Sequence, residues 1–427
     1  MPIGAWRLGY ARRWCPARLE PTLVAMDTPV LPPRPNRPVY LDNQATTRCD
    51  PRVVAAMLPW FTEHYGNPHS VEHVMGTEAE AAVEDARSHV AALIGADPKE
   101  LVFTSGATES NNIAIKGAAR FTLHAANERR RVVTVATEHK CVLEAVADLA
   151  GEGFEPVFLP VRADGLLDPD VLRETLQVPT LLVSVMAVNN EIGVIQDIPA
   201  LAAIAKQAGA LFHTDIAQAT GKIPLDLDGW KVDLASISGH KIYGPKGVGA
   251  LYVRRRPRVR LTPLFSGGGQ ERGLRSGSLP APLIVGLGEA CRLAQAEMAD
   301  EAKRVSALRD SLLGRLRASI PDIAVNGSRE ARIAGNLNVT FPDVTAAELM
   351  ERVPDLCVST GSACSSASIE PSYVLRALGL SDEAASRTLR FGIGRFTSPA
   401  DIDYAAAALA AAHAGAPAPG VDRFAKA

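Results

Sequence analysis

The sequence lacks the features that would place the chain in a membrane or on a nucleic acid. Nowhere do about 18 apolar residues follow one another, so no transmembrane helix is predicted. No sign of charge dominates, because 45 Lys and Arg residues balance 47 Asp and Glu residues, for a net charge of −2. This balance argues against general electrostatic attraction to nucleic acid or to an anionic membrane. A repeat with a period of roughly 20–50 residues is also absent.

Cysteine is scarce as well. The chain has six cysteines among 427 residues, at positions 15, 49, 141, 291, 357 and 364. They show neither CxxC pairing nor the spacing of metal ligands, so neither a disulfide framework nor a resident metal is predicted. Such cysteine usage is typical of a reducing compartment, and we predict a cytoplasmic location.

Residues 1–37 differ in composition from the rest of the chain. They contain seven prolines and six arginines, but only Glu20 and Asp27 as acids. No helical or strand period persists, which predicts a disordered or weakly ordered N-terminal extension. The segment lacks the apolar stretch of a secretory signal. Two possibilities stay open: an organelle transit segment, although the stretch has no serine, and translation from Met26.

From Tyr40 onward, short apolar runs rich in β-branched residues alternate with alanine-rich segments of helical period. Runs that are apolar throughout are typical of strands buried on both faces. Helices between such strands imply crossovers and a mainly parallel sheet, hence an α/β fold. The predicted strands are Leu101–Thr104, Val132–Val135, Leu181–Val188, Ala210–Thr214 and Leu234–Ser238, and the predicted helices include Glu78–Ile94 and Ile198–Ala208.

The pattern changes after about residue 295. A helical stretch over Ala302–Ser319 precedes two strand candidates, Asn336–Phe341 and Leu356–Ser359, and a closing helix over Ile402–His413. This arrangement predicts a second, smaller α+β domain. The predicted division is a large domain of residues 51–295, a small domain of residues 38–50 and 296–414, and a flexible tail of residues 415–427.

A lysine and an acid follow two of the predicted strands. Lys241 lies in a Gly- and Pro-containing turn after Leu234–Ser238, where partial desolvation would favour the free amine that Schiff-base chemistry needs. Asp215 ends an earlier strand, and Gln218 follows one helical turn later. A carboxylate that keeps a pyridine nitrogen protonated makes pyridoxal phosphate an electron sink, and an amide can bind the neighbouring phenolic oxygen. Taken singly, Lys241 is better explained as an ordinary loop lysine and Asp215 as the N-cap of the following helix.

Three further strand ends carry polar residues. In Phe103–Asn111 a strand ends in a glycine turn before a helix, and the free N–H groups at a helix N-terminus can hold a phosphate. His139 follows another strand and could stack on a cofactor ring. Asn190 follows the longest predicted strand. Ligands of open α/β sheets bind at the carboxyl ends of strands, so these separate signals together predict one site.

Cys364 differs from the other cysteines in its surroundings. It lies in the run Val358–Ser368, whose small residues cannot build a core of their own, so an accessible loop is predicted. An exposed thiol outside apolar packing is reactive where its surroundings favour the thiolate. Cys364 is therefore the candidate nucleophile of this chain.

Six segments closely resemble the cysteine desulfurases of the NifS/IscS kind, which belong to the class V aminotransferases of fold type I. The similarity extends from about residue 39 to 405. It is carried by residues 40–47 (YLDNQATT), 66–70 (GNPHS), 104–112 (TSGATESNN), 188–193 (VNNEIG), 238–247 (SGHKIYGPKG) and 361–364 (GSAC). The resemblance implies a mainly parallel seven-stranded sheet flanked by helices, a smaller α+β domain, and pyridoxal 5′-phosphate as cofactor.

The resemblance also implies roles for individual residues. Lys241 forms the Schiff base, Asp215 pairs with the pyridinium nitrogen, Gln218 contacts the phenolic oxygen, and His139 stacks on the ring. The substrate carboxylate is bound by Asn190, which also contacts the cofactor, and by Arg390 through its planar fork. The phosphate is held by Ala107, Thr108, Ser238, His240 and, from a second subunit, Ser278.

In the implied reaction L-cysteine becomes L-alanine. Freed Lys241 removes the Cα proton, and the Cys364 thiolate attacks the substrate sulfur and becomes a persulfide. The implied partners are a second copy of the chain and a sulfur-acceptor protein such as an iron–sulfur scaffold or a sulfur carrier, with tRNA thiolation as a further use of the sulfur. Nucleic acid is not a direct partner in this interpretation. Cys364 could transiently ligate a nascent iron–sulfur cluster.

The chain departs from its relatives at a few positions. Ser278 stands where threonine is frequent, and Ser266 and Gln270 stand where histidine is frequent. The chain also ends soon after His413, where relatives that supply a scaffold protein often continue, which puts that partner in doubt. A selenocysteine lyase or another lyase of the same fold is the alternative activity. A plain aminotransferase and a non-catalytic scaffold would also be compatible with this fold.

Overall fold

The computed structural model describes residues 38–124, 128–360 and 371–415. Three predictions concern residues outside these ranges: the N-terminal extension of residues 1–37, the loop that carries Cys364, and nearly all of the tail. The predicted division of the rest into a large and a small domain stays a prediction.

Strands and helices alternate along most of the described chain. The strands are Val39–Tyr40 (β1), Leu101–Thr104 (β2), Arg131–Val135 (β3), Glu155–Leu159 (β4), Thr180–Ser184 (β5), Leu211–Asp215 (β6), Leu234–Ser238 (β7), Gly249–Val253 (β8), Ala324–Val325 (β9), Asn336–Thr340 (β10), Leu356–Cys357 (β11) and Thr388–Gly392 (β12). The helices are Pro51–Met57 (α1), Pro59–Thr62 (α2), Val74–Ile94 (α3), Ala107–His124 (α4), Lys140–Asp148 (α5), Pro169–Thr175 (α6), Ile198–Gln207 (α7), Ala281–Ser319 (α8), Ala346–Arg352 (α9), Tyr373–Ala377 (α10), Asp382–Ser386 (α11) and Pro399–His413 (α12).

Seven strands form the main sheet, in the order β2-β8-β7-β6-β5-β3-β4. Strand β8 is antiparallel to both of its neighbours, and every other neighbouring pair is parallel. The predicted α/β fold with a mainly parallel seven-stranded sheet is thus confirmed. The parallel strands end at one edge, which is where ligands of such sheets bind.

Alternate residues of the strands face two separate apolar layers. Phe103 and Val133 pack with α3, α7 and α8 on one face, whereas Val102 and Val132 pack with α4 and α5 on the other. Because both faces are covered, the central strands are apolar at nearly every position. This explains why their continuous apolar runs could be recognised in the sequence.

Strand β5 ends at Ser184, four residues before the predicted end at Val188. The chain beyond it stays close to the neighbouring strand, since the N–H groups of Val185 and Ala187 donate to the carbonyls of His213 and Asp215. The predicted strand therefore included an apolar segment that continues alongside β6 but has left the regular ladder.

Helix α8 begins at Ala281, 21 residues before the predicted start at Ala302. Two glycines in the early part allow close packing, because a Cβ at Gly286 would lie 2.5 Å from Met57 Sδ and one at Gly288 would lie 2.6 Å from Ala86 Cα. The helix runs without a break through residue 295, where the domain boundary was predicted. None of the helices in the described ranges is both long and apolar enough to cross a membrane.

A second core surrounds the three-stranded sheet β12-β10-β9. The first half of α8 packs into the core of the main sheet, and its second half contributes Val305, Leu308, Leu312 and Leu316 to this second core. Strands β1 and β11 pair in parallel beside it. Helix α8 therefore contributes to both cores, and Arg390 on β12 reaches the Asn190 carbonyl in the segment that follows β5.

Candidate active site

Four of the predicted site segments lie at the carboxyl edge of the main sheet. Asp215 ends β6, Lys241 follows β7, the turn at Gly106 follows β2, and His139 follows β3. Strands β6 and β7 are direct neighbours, with Asp215 opposite Ser236. The prediction that these strand ends face one crevice therefore agrees with the topology.

Lys241 closes a short 3₁₀ turn, Gly239–Lys241, directly after β7. Its amine donates hydrogen bonds of 2.7 Å to the carbonyl oxygens of both Gln44 and Ala45. Gly239 is required here, because a Cβ would lie 3.0 Å from the Pro245 carbonyl oxygen. The amine is thus positioned by backbone oxygens at the end of a buried strand, where a lysine can act as a nucleophile or a base.

Asp215 is buried, with an exposed fraction of 4%. One carboxylate oxygen accepts the N–H of Ala217 at 2.8 Å, and the other accepts the Asn111 side-chain amide at 2.7 Å. Each carboxylate oxygen can accept more than one hydrogen bond, so the carboxylate can still accept another donor. The geometry suits an ion pair with a protonated ring nitrogen.

His139 is the N-cap of α5. Its Nδ1 accepts the backbone N–H of Cys141 at 3.2 Å and lies 3.0 Å from the Cys141 sulfur. Since Nδ1 accepts an N–H, the neutral ring carries its proton on Nε2. The imidazole is therefore held at the strand end with its proton-bearing side directed away from its own helix.

The predicted phosphate seat lies at the N-terminus of α4. Ala107 and Thr108 are its first residues, and the first N–H groups of a helix have no partner within it. Gly106 has a φ of 149°, and a Cβ added there would lie 4.0 Å from Ser238 Oγ. The Ser238 hydroxyl and the positive end of an 18-residue helix thus both lie close to Gly106, an arrangement that favours an anion.

His240 lies beside this seat. Its Nδ1 is 3.0 Å from the Thr46 hydroxyl, and its carbonyl accepts the Thr47 N–H and hydroxyl at 2.9 and 3.0 Å. Burial, together with the charges of Lys241 and Lys246, lowers the pKa of His240 to about 4. The imidazole is therefore neutral at pH 7 and can serve as a hydrogen-bond donor that brings no further positive charge.

Arg390, on β12, is almost completely buried, with an exposed fraction of 2%. Its two terminal nitrogens donate to Asp42 Oδ1 at 2.8 Å and to the Asn190 carbonyl at 2.9 Å. Two buried polar atoms here, Arg390 Nε and Asn190 Oδ1, have no hydrogen-bond partner among the described residues. A buried polar group without a hydrogen-bond partner destabilises the folded state. The neighbouring guanidinium N–H and side-chain amide therefore indicate a binding place for a polar ligand.

Gln218 lies in the turn after β6, as predicted, and is buried. Its amide nitrogen donates to the Gln44 carbonyl at 2.8 Å, and its amide oxygen accepts the Lys222 amine at 2.8 Å. Gln44 O thus accepts hydrogen bonds from both Gln218 and Lys241. This shared carbonyl brings the two predicted cofactor contacts together.

Comparison with known proteins agrees with this geometry. The sequence matches the family Aminotransferase class-V over residues 39–405. The chain belongs to this family. The predicted family membership is therefore confirmed, and the matched range begins and ends where the resemblance predicted.

Relatives of this family member include proteins named cysteine desulfurase. The "Cysteine desulfurase IscS" of Rickettsia felis is 54% identical over 371 residues, which cover 87% of this chain and 90% of the relative. The "Cysteine desulfurase, mitochondrial" of Arthroderma benhamiae is 57% identical over 86% of this chain and 73% of its own length. A solved structure titled "NIFS-LIKE PROTEIN" superposes with a TM-score of 0.81 at 36% identity, covering 87% of this chain and 98% of that one.

Another solved structure is named as a complex with cysteine. It is described as "SspA in complex with cysteine", with a TM-score of 0.73 and 37% identity, covering 84% of this chain and 99% of that chain. Among the described residues, no cluster of three or more His, Cys, Asp or Glu side chains could hold a metal ion.

The structure also shows groups that were not recognised from the sequence. Asn111 was quoted within a motif but given no role, and it contacts Asp215 directly. Glu138 precedes His139 and is fully buried, so that burial, reinforced by the charge of Asp215, raises its pKa well above the usual range. Lys222 was not considered at all. A signal for Asn111 was present, since it lies one helical turn after the predicted phosphate seat.

Ser278 lies exposed on the chain described, in the segment that follows Glu271. Glu271 anchors this segment: its buried carboxylate accepts two hydrogen bonds from Arg87, at 2.8 and 2.9 Å, and the Phe103 N–H at 2.7 Å. Arg275 binds Glu109, in the first turn of α4, at 2.7 Å. The segment with Ser278 is thus tied to the same strand and helix that form the phosphate seat.

Proposed function

We propose that this chain is a pyridoxal-phosphate-dependent cysteine desulfurase, which converts L-cysteine to L-alanine and transfers the sulfur to Cys364. The observation that carries the proposal is the joint placement of Lys241 and Asp215 at the carboxyl ends of neighbouring strands, beside the helix N-terminus at Ala107. The names of its close relatives point to the same activity. Cys364 itself lies outside the described residues, and its role is proposed from the sequence.

The residues at the sheet edge match the cofactor in charge and hydrogen-bonding groups. The amides of Ala107 and Thr108, the Ser238 hydroxyl and neutral His240 would hold the phosphate, since a helix N-terminus favours an anion. Asp215 would pair with the ring nitrogen, Gln218 would donate to the phenolic oxygen, and His139 would stack on the ring. Lys241 would be the covalent anchor. When bound, pyridoxal phosphate supplies an electron sink for charge that develops at the substrate Cα.

Arg390 and Asn190 would bind the substrate carboxylate. The Nε–H of Arg390 and the side-chain amide oxygen of Asn190 are buried without partners among the described residues. A carboxylate can satisfy both side chains once the Asn190 amide turns its NH₂ group toward it. Asp42 holds one side of the guanidinium at 2.8 Å, which fixes the plane of the fork. The carboxylate is thereby oriented, and with it the Cα proton that must be removed.

The chain's own residues then perform three tasks. Lys241 takes the proton from Cα, because its amine is positioned by the carbonyl oxygens of Gln44 and Ala45. The Cys364 thiolate attacks the substrate Sγ, forming an S–S bond while the Cβ–S bond breaks and leaves its electron pair on carbon. His139, with its proton on Nε2, is placed to donate a proton. In balance, L-cysteine and the Cys364 thiol give L-alanine and the Cys364 persulfide.

The proposal extends to partners and location. A homodimer would bring Ser278 of a second copy to the phosphate, because Ser278 is exposed on its own chain. A sulfur-acceptor protein, such as an iron–sulfur scaffold or a sulfur carrier, would take the persulfide sulfur for cluster assembly and tRNA thiolation. The proposed cytoplasmic location rests on cysteine usage, since the four described cysteines are free thiols. The mitochondrial relative keeps organelle import as the alternative.

The purified enzyme with L-cysteine tests this function. We expect the wild type to form alanine without any 2-oxo acid. The Cys364→Ala variant should lose sulfur transfer. The Lys241→Ala variant should lose sulfur transfer and the near-visible absorption band of the bound cofactor. Full turnover of cysteine by Cys364→Ala would contradict the desulfurase and favour a selenocysteine lyase or another lyase. Dependence of the wild type on a 2-oxo acid would indicate an aminotransferase instead.

A further inference from the structure

A continuous line of hydrogen-bonding groups joins two side chains that the proposed function places against the cofactor ring. Asn111 Nδ2 lies 2.7 Å from Asp215 Oδ2 and 3.2 Å from Cys141 Sγ, and that sulfur lies 3.0 Å from His139 Nδ1. Asn111 is completely buried, and Cys141 is half-buried. Neither of these connecting residues was assigned a role by the sequence.

The direction of each hydrogen bond follows from the chemistry of the groups. The Asn111 amide nitrogen carries two hydrogens, and the carboxylate and the sulfur each accept one. Nδ1 of His139 already accepts the backbone N–H of Cys141, so it carries no proton. The Cys141 thiol must then donate its S–H to Nδ1 while its sulfur accepts from Asn111. With these directions, the Asn111 amide and the Cys141 thiol each donate to an acceptor within hydrogen-bonding distance.

We propose that Asn111 and Cys141 are positioning residues that fix Asp215 and His139 relative to one another. The proposal rests on the proposed function, because it is there that Asp215 and His139 contact the cofactor. Asn111 holds the Asp215 carboxylate in one rotamer, and the Cys141 thiol adds a second donor to Nδ1 beside the backbone N–H, which favours the imidazole tautomer with its proton on Nε2. The side of His139 that faces away from α5 therefore carries the proton and can donate it.

The surroundings of the Cys141 thiol differ from those of a cysteine that only packs in a core. Fully buried Cys291, in α8, packs within an apolar core, where burial raises its pKa. Cys141 instead lies between a donor amide and an acceptor imidazole. Removing the Cys141 thiol should leave packing nearly intact but take away one of the two donors to Nδ1, the other being the backbone N–H of residue 141, so that the His139 tautomer with its proton on Nδ1 becomes more populated.

Three variants test the inference: Cys141→Ala removes the thiol, Cys141→Ser keeps a hydroxyl that can donate and accept, and Cys49→Ala removes a half-buried thiol outside the line. The first readout is the tautomer of His139 in the cofactor-free protein, by NMR of the ¹⁵N-labelled imidazole, with His139→Asn to assign the signal. Loss of one hydrogen bond should shift the tautomer ratio about 2- to 12-fold in Cys141→Ala. Cys141→Ser should restore the wild-type ratio, and Cys49→Ala should leave it unchanged.

The second readout is the turnover of L-cysteine by the loaded enzyme. Because positioning acts on the step that moves a proton, we expect kcat to fall by about the same 2- to 12-fold in Cys141→Ala with KM little changed. A tautomer ratio in Cys141→Ala equal to that of the wild type, or a failure of serine to restore it, overturns the inference. If the wild type does not convert cysteine at all, the proposed function fails, whereas the tautomer measurement still decides the role of Cys141.

Discussion

Replacing Arg390 with lysine probes the proposed carboxylate site most directly. The guanidinium contacts Asp42 at 2.8 Å and the Asn190 carbonyl at 2.9 Å, and its Nε–H is buried without a partner among the described residues. Arg390→Lys retains the charge and can keep the contact to Asp42. It cannot reproduce the planar fork, so the donor left for the substrate is lost.

The expected magnitude follows from the hydrogen bond that disappears. A hydrogen bond to a charged group contributes about 1.5–3 kcal/mol, which corresponds to about a 10- to 150-fold loss in kcat/KM. Most of this loss should be a higher KM for L-cysteine, because the carboxylate is bound before and during the reaction. Since the positive charge and the pair with Asp42 are conserved, the free energy of unfolding should change far less than in a variant that leaves Asp42 unpaired.

Alanine formation measured over a range of cysteine concentrations gives KM and kcat separately. Arg315→Lys is a matched control, because Arg315 is half exposed and pairs with exposed Asp403, at 2.9 Å. A surface pair of this kind contributes little, so this variant should behave as the wild type. If folded Arg390→Lys had a kcat/KM equal to that of the control, Arg390 would not be the carboxylate ligand.

Two further predictions concern buried charges. Arg87→Met leaves the buried Glu271 carboxylate without its cationic partner and should lower the free energy of unfolding, measured in urea, by about 3–5 kcal/mol. The double variant Arg87→Met/Glu271→Met should recover most of this loss. Equal stability of the single variant and the wild type would contradict the prediction. Burial, together with the charge of Lys241, lowers the pKa of Lys222 to about 7, against about 10.5 in the unfolded chain. The unfolded chain therefore binds more protons between these values, so the free energy of unfolding should rise with pH across this window in the wild type and less steeply in Lys222→Met. Parallel pH profiles for the two proteins would refute the shift.

The strands and the edge where they end were predictable because both faces of the main sheet are covered. Continuous apolar runs such as Leu234–Ser238 identify buried strands, and the polar residue after each run then marks the edge. Lys241, Asp215 and His139 were predicted as site residues in this way. The start of α8 could not be found, because Gly286 and Gly288 interrupt the apolar period where the helix packs closely on Met57 and Ala86.

What the strand pattern could not predict is how the site residues are held. The segment Asp42–Thr47 is distant in sequence from every strand of the main sheet, and periodicity gives it no structure. Yet its carbonyls at Gln44 and Ala45 bind Lys241, and Asp42 binds Arg390. Every residue has a backbone carbonyl, so the residue types in the sequence do not indicate which carbonyl oxygens will accept the hydrogen bonds of a lysine.

The same reasoning explains why Asn111 and Cys141 escaped attention while Asp215 and His139 did not. A residue that acts at the end of a strand is revealed by its polarity against an apolar run. Asn111 and Cys141 act through another side chain and lie near the start of a helix, where polar residues are common for capping alone. They become informative only when α4 and α5 are packed on the same face of the sheet, which brings the Asn111 amide within 3.2 Å of the Cys141 thiol, and that thiol lies 3.0 Å from the His139 imidazole. The residues that would contact the cofactor can therefore be predicted from the strand pattern, whereas the residues that position them are recognised only once the helices are packed.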